Sequence, residues 1–227
     1  MNKTKIEWVK NPDGTQGFTS NPISGLCPVA CWYCYGKKIY KRKLNKYFDE
    51  RLMLWPHRLA KIQKRKKPVG IFMCSTFELF HPCTKGFYRD NIFHTIKACP
   101  QHRFYVLTKF PQNIDRPMPP NVWLGVTVTK QNEIWKLQEL IKVKANIHFI
   151  SFEPLLERIK IDGFALEFEM LDWIIIGKLT QYGNKHDPKL TDLEWLINPA
   201  QYYQIPIFLK NNLKNIWGEP LIQEMPE

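Results

Sequence analysis

Six short apolar runs separated by amphipathic stretches constrain this chain more than any other feature. They are Val69–Ser75, Arg103–Lys109, Val122–Val128, Ile147–Glu153, Asp172–Lys178 and Ile205–Lys210. Each is rich in Ile, Val, Phe or Trp, and each is short enough to be a strand buried on both faces. Helical patterns fill the gaps. Glu50–Lys67 reads as a helix with a basic face, and Lys85–Ala98 follows a proline-containing turn. Gln131–Lys144 spaces its apolar residues helically at Ile134, Leu137, Leu140 and Ile141. Thr191–Tyr203 opens with Thr191 as N-cap and Glu194 three positions on, the pattern of a capping box.

Strands that alternate with helices build βαβ units and a parallel sheet. With an early strand near Thr19–Gly25, the expected fold is α/β, a partial (βα) barrel of about six or seven parallel strands, short of the closed eight. A doubly wound sheet is the alternative, because local pattern does not encode strand order.

The chain has 227 residues, of which 44% are hydrophobic and 14% aromatic, enough for a substantial core. One domain spanning 1–227 is expected, and global disorder is excluded. There is no internal repeat. The opening segment, Met1–Lys10, is polar, and no apolar run approaches membrane-spanning length. A cytoplasmic, reducing setting without membrane partners is therefore expected. Lys and Arg number 33 against 21 Asp and Glu, a net charge of +12 that suits a phosphate-bearing partner. Lysines that merely solvate the surface are the competing explanation.

Three of the six cysteines, Cys27, Cys31 and Cys34, lie within eight residues, after the early strand. The loop at about 26–36 thus carries Cys-x3-Cys-x2-Cys, tight enough to wrap a compact metal centre with three thiolates. Three ligands leave one iron of a four-iron cluster open to a small chelating molecule. Zinc is the alternative, although zinc motifs usually come as two separated pairs and the first histidine here is His57.

With Tyr33 at its aromatic position, the segment 27–34 resembles the hallmark of the radical S-adenosylmethionine superfamily, Cys-x3-Cys-x-aromatic-Cys. Further stretches resemble an uncharacterised, phage-associated branch of that superfamily. They are Ile6-Glu7-Trp8, Ser75–His81, Pro100-Gln101-His102, Val106–Lys109, Asn121–Val128 and Ser151–Leu156. The cysteine motif followed by Tyr35 also resembles, more distantly, that of spore photoproduct lyase, a DNA-repair enzyme. Where related sequences often carry a Gly-Gly-Glu-Ser-like turn, this chain has Gly177-Lys178-Leu179-Thr180, a departure that puts the family's substrate in doubt here.

The resemblance implies a four-iron, four-sulfur (4Fe–4S) cluster on Cys27, Cys31 and Cys34. It also implies reductive cleavage of S-adenosylmethionine to a 5′-deoxyadenosyl radical, with electrons from a flavodoxin- or ferredoxin-type donor. Tyr33 would lie near the adenine, and Ser75 and Glu78 near the methionine amine. Thr127 and Thr129 would meet the ribose hydroxyls, and Ser151 and Glu153 would also face the cofactor. Cys74 and Cys83 are candidate hydrogen donors in catalysis, with a buried structural role as the alternative, as for Cys99. His81 and His94 read as structural or loop residues.

Lys37, Lys38, Lys41, Arg42 and Lys43, interleaved with Tyr40, and then Lys64 and Arg65 form candidate nucleic-acid contacts. The expected activity is radical modification or repair of a nucleic acid. A radical enzyme acting on a metabolite or peptide, and a non-catalytic metal-bearing nucleic-acid-binding protein, are the alternatives.

Overall fold

A computed structural model describes residues 1–37, 52–180 and 182–227. The chain divides into two compact units, one of residues 1–115 and 119–122, the other of 116–118 and 123–227. The fold is mixed α/β with mostly parallel strands.

In the first unit, β1 (Asn2–Lys3) pairs antiparallel with β2 (Phe18–Ser20). Parallel pairing then runs from β2 to β5 (Gly70–Met73) and on to β6 (Arg103–Thr108). Between β2 and β5 lie β3 (Ile23–Ser24) and β4 (Met53–Leu54), paired antiparallel with each other, and helix α1 (Pro56–Gln63). Helix α2 (Gly86–Lys97) joins β5 to β6.

Two expectations are corrected here. The early strand is broken, because Pro22 has no N–H to donate to a ladder and the chain resumes as β3 beside β4. The helix expected over Glu50–Lys67 begins only at Pro56, which suits a first helical position, after the extended residue Trp55. Residues 50 and 51 lie outside the described residues.

The core of this unit forms where Trp8 meets Phe72 at 5.0 Å and the edge of Tyr105 at 5.7 Å. Tyr105 donates its hydroxyl to Lys10 O at 2.8 Å, and Asn11 Oδ1 accepts the Gly70 N–H at 2.9 Å. Gly70 lies against Lys10 O so closely that any side chain would overlap it. The N-terminal segment is thereby welded to the first residue of β5.

The second unit holds β7 (Val122–Thr127, whose first residue belongs to the first unit), β8 (Ile147–Phe152), β9 (Trp173–Ile176) and β10 (Ile207–Leu209), each parallel to the next. Helix α3 (Lys136–Ile141) precedes β8, α4 (Ala165–Glu169) precedes β9, α5 (Leu190–Tyr202) precedes β10, and α6 (Lys214–Trp217) follows it. β7, β9 and β10 are buried along their whole length, as parallel strands covered on both faces must be. Trp173 packs on Trp123, Phe149 and Phe208 at 5.9, 5.7 and 6.0 Å. Each such fully buried side chain contributes roughly 1.5–3 kcal/mol.

The helix expected over Gln131–Lys144 is shorter: a 3-10 turn, Gln131–Glu133, precedes α3. The expected N-cap Thr191 is also corrected. The helix begins two residues earlier, with the Asp192 carboxylate accepting the Lys189 N–H at 2.9 Å. After α6 the chain returns along β10, where Leu209 N–H donates to Ile222 O and Glu224 N–H to Ile207 O at 2.7 and 2.8 Å. This strap covers the outer edge of β10, an edge that would otherwise present unpaired backbone. Among the described residues, no helix is long and apolar enough to cross a membrane.

Candidate metal centre

The cysteine loop is a succession of tight turns. Gly25 enters it at φ 118°, and Ala30 reverses the chain at φ 51°. Ala30 N–H donates to Cys27 O and Cys34 N–H to Cys31 O, at 3.2 and 3.1 Å. Cys27, Cys31 and Cys34 are all half-buried. Burial pushes the Cys27 and Cys31 thiols above their ordinary value. Two sets of donors oppose that rise: the Val29 and Glu78 N–H groups directed at Cys27 Sγ, and the Tyr33 hydroxyl at Cys31 Sγ. Among the described residues, no three His, Cys, Asp or Glu side chains stand together as a metal-binding group in this geometry.

The loop is tied to the turn that leaves β5. Tyr35 donates its hydroxyl to Ser75 O at 2.6 Å. Asn21 Nδ2 donates to Ser75 Oγ at 3.2 Å, while Asn21 Oδ1 accepts the Thr76 N–H at 3.2 Å. Gly36 is buried, and a methyl group there would touch Cys34 Sγ at 3.4 Å and Thr76 at 3.6 Å. Residues 35–37 are helical.

Glu78 lies buried in that same turn. Its Oε1 accepts the Thr108 hydroxyl at 2.5 Å and the Phe80 N–H at 3.1 Å, and its Oε2 accepts the Lys109 N–H at 2.8 Å. Burial still pushes its carboxyl above the ordinary 4.5, against these three donors and the Lys109 charge. A carboxylate has about four acceptor positions, so this one is largely occupied by its own fold.

Cys74 is buried at φ 54°, and burial drives its thiol far up. Cys83 is exposed, and its N–H donates to His81 Nδ1 at 3.1 Å. Cys99 is buried.

The other expected cofactor contacts belong to the second unit. Thr127 and Ser151 are register partners at the ends of β7 and β8, both buried. Among the described residues Ser151 Oγ has no hydrogen-bond partner. Thr129 donates its hydroxyl and N–H to Glu133 Oε2 at 3.0 and 2.7 Å. Glu153 pairs with Lys210, whose stem crosses the face of Gly177. Beside them Lys178 pairs with Asp187 at 2.6 Å. Lys109, Asn21, Tyr35, Lys210 and Asp187 were not among the site residues expected from sequence. Lys109 and Lys210 carried a signal as polar residues ending apolar runs, and Tyr35 as the residue that follows the cysteine motif.

A family model described as "Protein of unknown function (DUF5131)" matches residues 3–216. The chain belongs to the DUF5131 family. The match takes in Cys27, Cys31, Cys34, Glu78 and Lys109. Neither a curated protein nor a solved structure matches the chain.

Of the candidate nucleic-acid contacts in this DUF5131 chain, Lys37 is exposed, and Lys38, Lys41, Arg42 and Lys43 lie outside the described residues. Lys64 caps the C-terminus of α1 and is exposed. Arg65 stacks its guanidinium on the Phe18 ring at 4.5 Å, and its carbonyl accepts Gln101 Nε2 at 3.2 Å. That stacking packs the edge of β2.

Proposed function

We propose that this DUF5131 chain is a radical S-adenosylmethionine enzyme, built on a partial (βα) barrel, with a 4Fe–4S cluster held by Cys27, Cys31 and Cys34. The observation that carries the reading is the loop itself. Three half-buried thiols follow one another on consecutive turns, with N–H and O–H donors directed at the first two. The donor set fits the group: thiolates are its preferred ligands, and hydrogen bonds to sulfur tune its potential. When bound, the cluster would supply the electron that cleaves S-adenosylmethionine, fed by a flavodoxin- or ferredoxin-type donor.

The chain's own part in this reading is positional. Tyr35, Asn21 and Gly36 hold the loop against the turn after β5. Glu78 clamps the end of β6 to that same turn. Ser75 beside the loop and Tyr33 within it would be the cofactor contacts of this unit, and the reading rests on the first unit alone. For substrate, the net charge of +12 supports a nucleic acid, which this enzyme would modify or repair.

Protein purified without oxygen and reconstituted with iron and sulfide tests the reading. Given dithionite and S-adenosylmethionine, the wild type should form 5′-deoxyadenosine and Cys31→Ala should not. Zinc in place of iron in the native protein would overturn it. The substrate class is tested by retention of duplex DNA, single-stranded DNA and tRNA. Retention should weaken steeply with salt, and negligible retention of all three at low salt would remove it.

A further inference from the structure

We propose that Lys109 is the electrostatic partner of the cysteine loop: its ammonium holds a positive potential over Tyr33 and Cys31 and stabilises the negative charge that three thiolates gather around a metal centre. The part concerning reduction potential rests on the cluster reading, whereas the part concerning local potential does not.

The placement is built. Lys109 follows the last residue of β6, and its backbone is held there by the 2.8 Å bond from its N–H to Glu78 Oε2. The preceding residue, Thr108, is clamped by Glu78 Oε1. From that fixed point the half-buried side chain places Nζ 5.9 Å from the centroid of the Tyr33 ring. Tyr33 lies between Cys31 and Cys34 in the chain, so a charge beside its ring stands next to two of the three thiols. A cation beside that ring raises the electrostatic potential along the segment that carries the thiols.

The need for such a charge follows from the loop's composition. Thiolates on Cys27, Cys31 and Cys34, with the Glu78 carboxylate acting on Cys27, would concentrate negative charge in a half-buried place. Cluster potentials depend on net charge and on solvent exposure. A neighbouring ammonium favours the reduced, more negative state and so raises the potential. Lys109 lies beside the loop and is a positioning residue for its charge.

The test compares the wild type with Lys109→Gln and Lys109→Arg, first without metal. Cys31 is alkylated with iodoacetate and with iodoacetamide at one pH, and modification is mapped by peptide mass spectrometry. The ratio of anionic to neutral reagent rates cancels thiolate fraction and reports local potential, with exposed Cys83 as internal reference. The ratio at Cys31 should fall roughly three- to tenfold in Lys109→Gln at low salt, persist in Lys109→Arg, and fall with salt in the wild type. The ratio at Cys83 should not change. An unchanged Cys31 ratio in Lys109→Gln overturns the proposal. So does a salt-independent wild-type ratio, which needs no variant to fold. In reconstituted protein the midpoint potential should be more negative in Lys109→Gln than in Lys109→Arg, and equal potentials would overturn the redox role. Failure of the wild type to assemble any cluster would sink the cluster reading and the redox role together, and leave the alkylation ratio to decide the local one.

Discussion

Thr108 donates its hydroxyl to Glu78 Oε1 at 2.5 Å, and this bond joins the end of β6 to the turn after β5. The pairing sits where the cysteine loop rests, since the backbone N–H of Glu78 is also directed at Cys27 Sγ. Removing one partner of a buried hydrogen bond costs about 1–3 kcal/mol. Thr108→Val should therefore destabilise the protein by about 1–3 kcal/mol, read from the urea midpoint.

The Glu78 carboxyl also gives the stability curve a direction with pH. Burial raises its pKa in the folded protein above the ordinary 4.5 of an unfolded chain. Between those two values the folded protein holds the proton and the unfolded chain has lost it, so stability falls as pH rises through that window. In Glu78→Gln this contribution is absent. Urea midpoints measured from pH 4 upward should fall less steeply for Glu78→Gln than for wild type. Parallel curves would refute the assignment.

Tyr35→Phe removes the 2.6 Å bond to Ser75 O, at an exposed position. The expected loss of global stability is small, about 0.5–1.5 kcal/mol. Its larger effect should be local. Amide exchange at the bonds from Ala30 and Cys34 should quicken, while exchange in β5 and β6 stays unchanged.

Removal of residues 219–227 would strip the strap from β10. Among the described residues six hydrogen bonds disappear: the two backbone bonds along the strand, the Trp173 indole to Glu224 O at 3.0 Å, Ile207 N–H to Glu224 Oε2 at 2.9 Å, and the bonds from Gln223 Nε2 to Leu209 O and Asn211 Oδ1, both at 3.0 Å. The shortened chain should lose on the order of 2–4 kcal/mol and self-associate through the bared edge. Unaltered melting and a monomeric profile in size-exclusion chromatography would refute this.

Local chemistry carried much of the architecture. The six apolar runs each contain one of the parallel strands β5 to β10, because a strand buried on both faces needs a continuous apolar segment and little else. The cysteine spacing was legible for a similar reason: turns of three or four residues are set by neighbours in the chain. Helix starts were less legible. Thr191 with Glu194 and Lys189 with Asp192 are both plausible caps by local pattern. Arg158 decides between them, because it engages Thr191 Oγ1 at 3.0 Å and Asp192 Oδ1 at 2.9 Å. No reading of residues 189–194 alone contains Arg158.

What the sequence determined by itself, then, was the α/β alternation, the strand positions and a loop of three clustered thiols, all of which depend on contacts within a few residues or on burial averaged over a segment. Only the tertiary structure decided which charges meet that loop. Glu78 and Lys109 come together at the ends of β5 and β6 because those strands pair in parallel, Met73 opposite Val106, and parallel register carries both strand ends to the same side. The same pairing turns Glu78 inward onto Thr108 and Lys109, where burial and three donors occupy its carboxylate and the lysine ammonium stands over the Tyr33 ring.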